Sequence, residues 1–259
     1  MKPLKSCRVD IEGLSKRFED GIVALNDITL TIEPGSFCVF LGPSGSGKST
    51  LLRCMNGLEK PSRGKISVNG IELTSKTLHA LRREIGSIHQ HFGLVQRDTV
   101  ANNVLAGNLA DLSIWRSVLG WFPRSAQKRA IALLDAVGLE PIHLNRRVSE
   151  LSGGQQQRVG IARAFMLVPH LVLADEPIAS LDPQISHDIL TLIADQGATV
   201  GATVLCSLHQ IDLAKAFAHR IIGLSRGVVV FDGPPSDLNG AAIDRIYGVR
   251  QIATQEVAA

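Results

Sequence analysis

Apolar and polar side chains alternate along Val9-Asp10-Ile11-Glu12 and again along Ile28-Thr29-Leu30-Thr31-Ile32. A two-residue period belongs to strands that bury one face and expose the other. The alternation stops at the turn pair Pro34-Gly35 and gives way to the unbroken apolar run Phe37-Cys38-Val39-Phe40-Leu41, the pattern of a strand covered on both sides. Residues 48–56 then read as a helix with Gly57 as its stop. Lys65-Ile66-Ser67-Val68 and Ile71-Glu72-Leu73 flank Asn69-Gly70, a strong signal for a two-residue hairpin. A strand is expected over Ile85–His89, and from 98 to about 166 the chain looks mostly helical. There Ala130, Ile131, Leu134 and Val137 recur at helical spacing, and Gly138 offers a stop. Apolar runs at 171–174, 203–206 and 221–224 alternate with helical stretches, one starting after Pro183, and 228–231 adds a last strand. That order implies a parallel sheet with helical crossovers. The prediction is an α/β fold: one domain over 8–247 with a core of parallel strands, an N-terminal antiparallel β subdomain, a helical subdomain inserted at about 91–166, and a short tail at 248–259.

Composition narrows the function only modestly. With 259 residues and 45% hydrophobic content, the chain can bury a full core. A net charge of +3 without a long basic run argues against a nucleic-acid partner. Met1-Lys2-Pro3-Leu4-Lys5 lacks the apolar stretch of a signal peptide, and no apolar segment reaches bilayer-spanning length. Cys7, Cys38, Cys54 and Cys206 show no C-x-x-C spacing and have mostly apolar neighbours, so reduced core thiols are expected.

The chemistry is concentrated in a few short segments. Gly42-Pro43-Ser44-Gly45-Ser46-Gly47-Lys48-Ser49-Thr50 fits the phosphate-loop pattern G-x-x-x-x-G-K-[ST] and lies between a predicted strand and a helix N-terminus. Free backbone N–H groups and the helix dipole favour an anion there, and glycine lets the backbone approach phosphate oxygens closely. Lys48 is placed to reach the β- and γ-phosphates of ATP, and the Ser49 hydroxyl to ligate Mg²⁺. Leu171-Val172-Leu173-Ala174-Asp175-Glu176 is an apolar strand ending in two carboxylates, at the sheet edge where ligands gather in parallel α/β folds. Asp175 suits Mg²⁺, and Glu176 can act as a base on water. In Leu151-Ser152-Gly153-Gly154-Gln155, Ser152 can N-cap a helix, yet the full string is more specific than a cap requires.

The phosphate loop, Leu-Ser-Gly-Gly-Gln and Leu-Ala-Asp-Glu-Pro, in that order over roughly 9–234, resemble the ATPase subunit of ATP-binding-cassette transporters. The resemblance implies that Ser152, Gly153, Gly154 and Gln155 complete the ATP site of a second copy in a head-to-tail dimer. It implies that Gln90 contacts Mg²⁺, that Ser180-Leu181-Asp182 crosses the dimer interface, and that His209 meets the γ-phosphate. Asp182 before Pro183 also reads as an N-cap. Phe18 resembles the family's adenine-stacking aromatic, for which a ring face suffices; the alternative is a buried aromatic of the antiparallel sheet.

Asn103-Val104-Leu105-Ala106-Gly107, Trp115-Arg116-Ser117-Val118-Leu119-Gly120 and Ser207-Leu208-His209-Gln210-Ile211-Asp212 look like the phosphonate-importer branch, with His89 and Asn108-Leu109-Ala110-Asp111 as departures. Cassettes for phosphite, phosphate esters, methionine or polar amino acids are near neighbours. Exporter or envelope cassettes and soluble cassettes of DNA repair or translation are more distant rivals. The resemblance implies integral membrane permease subunits as partners, a solute-binding protein acting indirectly, and a peripheral place on the cytoplasmic face of the inner membrane. Trp115, Trp121 and Phe122, with Arg116 and Arg124 nearby, read equally as core of the helical insertion or as a docking patch.

Overall fold

The computed structural model describes residues 6–89, 93–113, 115–116, 119–179 and 181–248. The chain divides into two compact units: Ser6–Leu78 with the chain from Thr203 onward, and His79–Ala202.

In the first unit, β1 (Val9–Arg17) pairs antiparallel with β2 (Val23–Ile32) on one side and β4 (Arg63–Val68) on the other, and β5 (Ile71–Glu72) extends β4. The predicted hairpin turn is present, with Asn69 at φ 49° and Gly70 at φ 76°. Two successive left-handed residues give the turn whose twist matches that of the strands. Val9, Ile11, Leu25, Ile28, Leu30 and Ile32 are buried, as the alternation requires. β1 runs beyond residue 12 because its period breaks rather than ends: Gly13 sits at φ 56° and the β1–β2 register shifts between Ile11 and Leu14.

The same unit holds β3 (Phe37–Leu41), flanked in parallel by β8 (Thr203–Leu208) and β9 (Arg220–Ser225), with β10 (Val228–Gly233) antiparallel to β9. Every residue of β3 and β8 is buried, as the unbroken apolar run predicts. Each large apolar side chain there contributes about 1.5–3 kcal/mol by leaving water. Helix α1 (Lys48–Met55) turns Leu51, Leu52 and Met55 inward and stops at Gly57, φ 65°. All four cysteines are buried and none is in a disulfide. Burial pushes the Cys38 thiol up to about 12 and Cys54 to about 11, which keeps both unreactive.

In the second unit, β6 (Ile85–His89) and β7 (Leu171–Asp175) are parallel and end in register, His89 opposite Asp175. The helices are α2 (Leu78–Arg82), starting at the junction of the units, then α3 (Val100–Leu105), α4 (Arg124–Ala136), α5 (Gly153–Ala164) and α6 (Pro183–Val200). Short 3₁₀ turns at 106–111, 141–143 and 148–150 make the segment less regular than its spacing suggests. Asn103, 3% exposed, fixes the loop before α3: its amide accepts from Val95 N and donates to the Val95 and Thr99 carbonyls. Helix α4 bears out the helical spacing but leaves Ile131 outside the core, 54% exposed. Ala126, Ala130, Leu133 and Leu134 form its inward face, and Ile131 falls outside that arc at about 100° per residue. Helices α7 (Ile211–Phe217) and α8 (Gly240–Tyr247) return to the first unit.

Candidate functional site

The predicted site residues divide between the units. Phe18, the phosphate loop and His209 lie in the first; Ser152 to Gln155, Asp175, Glu176 and Asp182 lie in the second, and Gln90 lies outside the described residues.

The phosphate loop leaves β3 and enters α1 with Gly47 as N-cap at φ 107° and no side chain capping the first turn. Gly45 is also left-handed, at φ 78°. A β-carbon on Gly42 would collide with the Leu224 carbonyl oxygen, and one on Gly47 would stand 2.6 Å from the Ala24 carbonyl oxygen. Glycine is therefore dictated by the backbones that crowd the loop. Two further bonds hold it from behind: Gly227 N donates to the Ser46 carbonyl at 3.0 Å, and Asn26 N to the Gly227 carbonyl at 2.8 Å. Lys48, 3% exposed, donates from Nζ to the carbonyls of Gly42 (2.7 Å) and Pro43 (3.0 Å), so its ammonium lies within the curl of the loop. Ser46 Oγ is buried without a hydrogen-bond partner. An uncapped helix start, a buried ammonium and an orphaned hydroxyl in one loop are the donor set that a phosphate chain satisfies. Ser44 and Gly45 are exposed at its mouth, while Pro43, Ser49 and Thr50 are half-buried.

Phe18 follows β1 and is half-buried, which sets aside the buried-aromatic alternative. Lys16 Nζ lies 4.9 Å from its ring centre. The ring lines an open cavity of about 700 Å³ together with Arg17, Arg63 and Arg226. His209, exposed, comes directly after β8, which runs two residues further than the apolar run at 203–206. Its carbonyl accepts from the Tyr247 hydroxyl at 2.7 Å, and burial pushes that phenol up to about 12. Tyr247 sits on α8, far along the chain, and no sequence pattern announces the contact.

In the second unit, Asp175 is the last residue of β7 and Glu176 follows at φ 46°. A left-handed glutamate is a costly backbone state, of order 1–3 kcal/mol, and such states persist chiefly where function holds them. The Ser152 turn forms a full capping box: Ser152 Oγ accepts from Gln155 N, and Gln155 Oε1 accepts from Ser152 N at 3.0 Å. The other end of the Gln155 amide meets the His143 ring, Nε2 to Nε2 at 3.3 Å. The Ser-x-x-Gln spacing announces the box, whereas nothing in the sequence singles out His143. Asp182 caps α6 by accepting from Ile185 N at 2.9 Å, with Pro183 at the first helical position. Gly154 lies beside that first turn: a β-carbon on it would be 3.3 Å from Ile185 Cγ2.

Residues 25–179 match the profile of the ABC transporter family, more than half of the chain, and the chain belongs to that family. Among curated relatives, the phosphonates import ATP-binding protein PhnC of Hydrogenovibrio crunogenus is 49% identical over 238 residues, covering 92% of this chain and 88% of that protein. A second such protein, PhnC 2 of Halalkalibacterium halodurans, is 45% identical over 92% of this chain and 98% of its own length. The fold is similar to that of the ATP-binding cassette MJ0796 in a dimeric post-hydrolysis state bound to ADP and Pi, at TM-score 0.77 and 34% identity over 88% of this chain and 98% of that one. Among the described residues, no helix is long and apolar enough to cross a membrane.

Proposed function

We propose that this chain is the ATP-binding and ATP-hydrolysing subunit of an ABC importer whose solute is a phosphonate. Relatives carrying that import function, matched over about nine-tenths of the chain, support the solute class. In this reading residues 8–247 act as one nucleotide-binding domain, peripheral on the cytoplasmic face of the membrane and attached to permease subunits that a solute-binding protein supplies. Residues 42–50 hold the phosphates of ATP, Phe18 stacks on adenine, and Lys48 neutralises phosphate charge. Mg²⁺, held by Ser49, Asp175 and Gln90, would supply further charge neutralisation. Glu176 takes the proton of the attacking water, and His209 orients the phosphate being lost.

The observation that carries the reading is the pair Gly153-Gly154. Neither glycine has a left-handed backbone, and a β-carbon on Gly153 would meet nothing within 4 Å. This chain's own packing thus gives no reason for glycine at 153, whereas close approach of another molecule does. A second copy bearing ATP, closing head-to-tail on the Ser152 turn, is such a molecule, and Asp182 beside that turn would share the interface.

Glu176→Gln is expected to lower the ATPase rate about 10²–10⁴-fold while keeping ATP affinity, and to accumulate an ATP-dependent dimer on size-exclusion chromatography. A parental hydrolysis rate would remove Glu176 from its role. With the permease and binding protein reconstituted, phosphonate should stimulate hydrolysis; stimulation by methionine alone would replace the proposed solute.

A further inference from the structure

The chain has two tryptophans, and the structure places both in solvent. Trp115 is 75% exposed and Trp121 69%, with Leu119 at 61% between them. Core packing, one of the two roles open to this segment from sequence, is thereby excluded for these side chains. Leu119 N donates to the Trp115 carbonyl at 3.1 Å and Trp121 N to the Arg116 carbonyl at 2.9 Å, with Gly120 left-handed at φ 62°. Trp115 and Arg116 are helical, and these bonds with the left-handed Gly120 make a glycine C-terminal motif after them. Gln127 Nε2 donates to the Phe122 carbonyl at 3.0 Å and fastens the end of the turn to the start of α4.

Between Asp111 and Asp135 the charged residues of the sequence have one sign. From 112 to 134 the sequence contains Arg116, Arg124, Lys128 and Arg129 and no acidic residue. Arg129 is used internally, donating to the Phe165 and Met166 carbonyls at the end of α5. Arg124 and Lys128 recur at i, i+4 with exposed Ile131 at i+7, a stripe facing away from the buried Ala126, Ala130 and Leu133. Outward-pointing tryptophans belong at the headgroup level of a bilayer, where an apolar ring with one polar N–H is at home. Cations without intervening acids complement a surface that is negative everywhere, rather than a protein groove with paired charges.

We propose that the turn bearing Trp115, Leu119 and Trp121, with Arg116, Arg124 and Lys128, is a contact surface for the anionic headgroups of the membrane. It would supplement attachment through permease subunits with direct adsorption to lipid. The proposal uses none of the nucleotide chemistry and stands or falls separately from it. Each cation contributes about a 5-fold gain in partitioning, so three favour anionic over zwitterionic lipid by roughly 10²-fold.

Because Trp115 and Trp121 are the sole tryptophans, their emission reports on this surface alone. The full chain is titrated with vesicles of phosphatidylcholine containing about one-third phosphatidylglycerol, a fraction chosen to give the negative surface potential that attracts cations, and with pure phosphatidylcholine. The expected result is a shift of emission to shorter wavelength, with quenching by brominated acyl chains, on the anionic vesicles only. Arg124→Ala/Lys128→Ala should weaken the partitioning roughly 25-fold. A second variant, Trp115→Ser/Trp121→Ser, should lose co-sedimentation with anionic vesicles while its far-UV circular dichroism is unchanged. No shift on anionic vesicles, equal partitioning of the basic-stripe variant, or a shift that appears only with detergent-solubilised permease would overturn the proposal; the last result would identify a protein partner instead.

Discussion

Gly47 caps α1 and Gly153 opens α5, and glycine stands at these two helix starts for opposite reasons. At α1, Gly47 is left-handed and wedged against the Ala24 carbonyl, and no side chain caps the helix. At α5, Gly153 has an ordinary backbone and open space around its α-carbon, and Ser152 and Gln155 cap the helix completely. The first terminus is a strained hole that the fold itself constructs, with its donors left for a ligand. The second is a finished helix start whose glycines leave a bare surface. Sequence motifs make the two look alike; the contrast in geometry separates a site that binds from a surface that receives.

Substitution at each terminus tests the contrast. Gly47→Ala should cost about 3 kcal/mol or more in urea unfolding, because the new methyl meets both backbone strain and a carbonyl oxygen. Gly153→Ala should leave stability within about 0.5 kcal/mol, or raise it slightly, yet abolish ATP-dependent dimer formation in a Glu176→Gln background. A stable Gly153→Ala protein that still dimerises would remove the argument for a covering partner. Ser152→Ala should cost about 1 kcal/mol through loss of the cap, read from the denaturation midpoint. Smallest of all, His143→Ala leaves one amide proton of Gln155 unpaired at a half-buried position and should cost about 0.5 kcal/mol. If it costs as much as Ser152→Ala, the ring is part of the box.

The elements that the sequence made legible are those with uninterrupted local patterns. β3 and β6 were expected over the residues they occupy, and Asn69-Gly70 closes the predicted hairpin. Half of β1 was hidden because Gly13 shifts the register and inverts the period. The helical spacing did not say which apolar residues face inward: Ile131 is exposed, while Ala126 and Leu133 are buried. In the candidate site, motif residues were readable because phosphate chemistry fixes their type and spacing. The side chains that hold those motifs were not: His143 and Tyr247 reach them through folding alone, and neither stands at a diagnostic spacing.

The bonds behind the phosphate loop carry a lesson for engineering. Ser46 and Gly47 are moulded by Ala24 and Asn26 from an earlier strand and by Gly227 from a hairpin near the other end of the chain. Residues 42–50 are therefore not a portable peptide, and transplanted alone into a foreign scaffold they would relax into an ordinary flexible linker. Any designer borrowing this grip on triphosphates must borrow the two distant abutments with it.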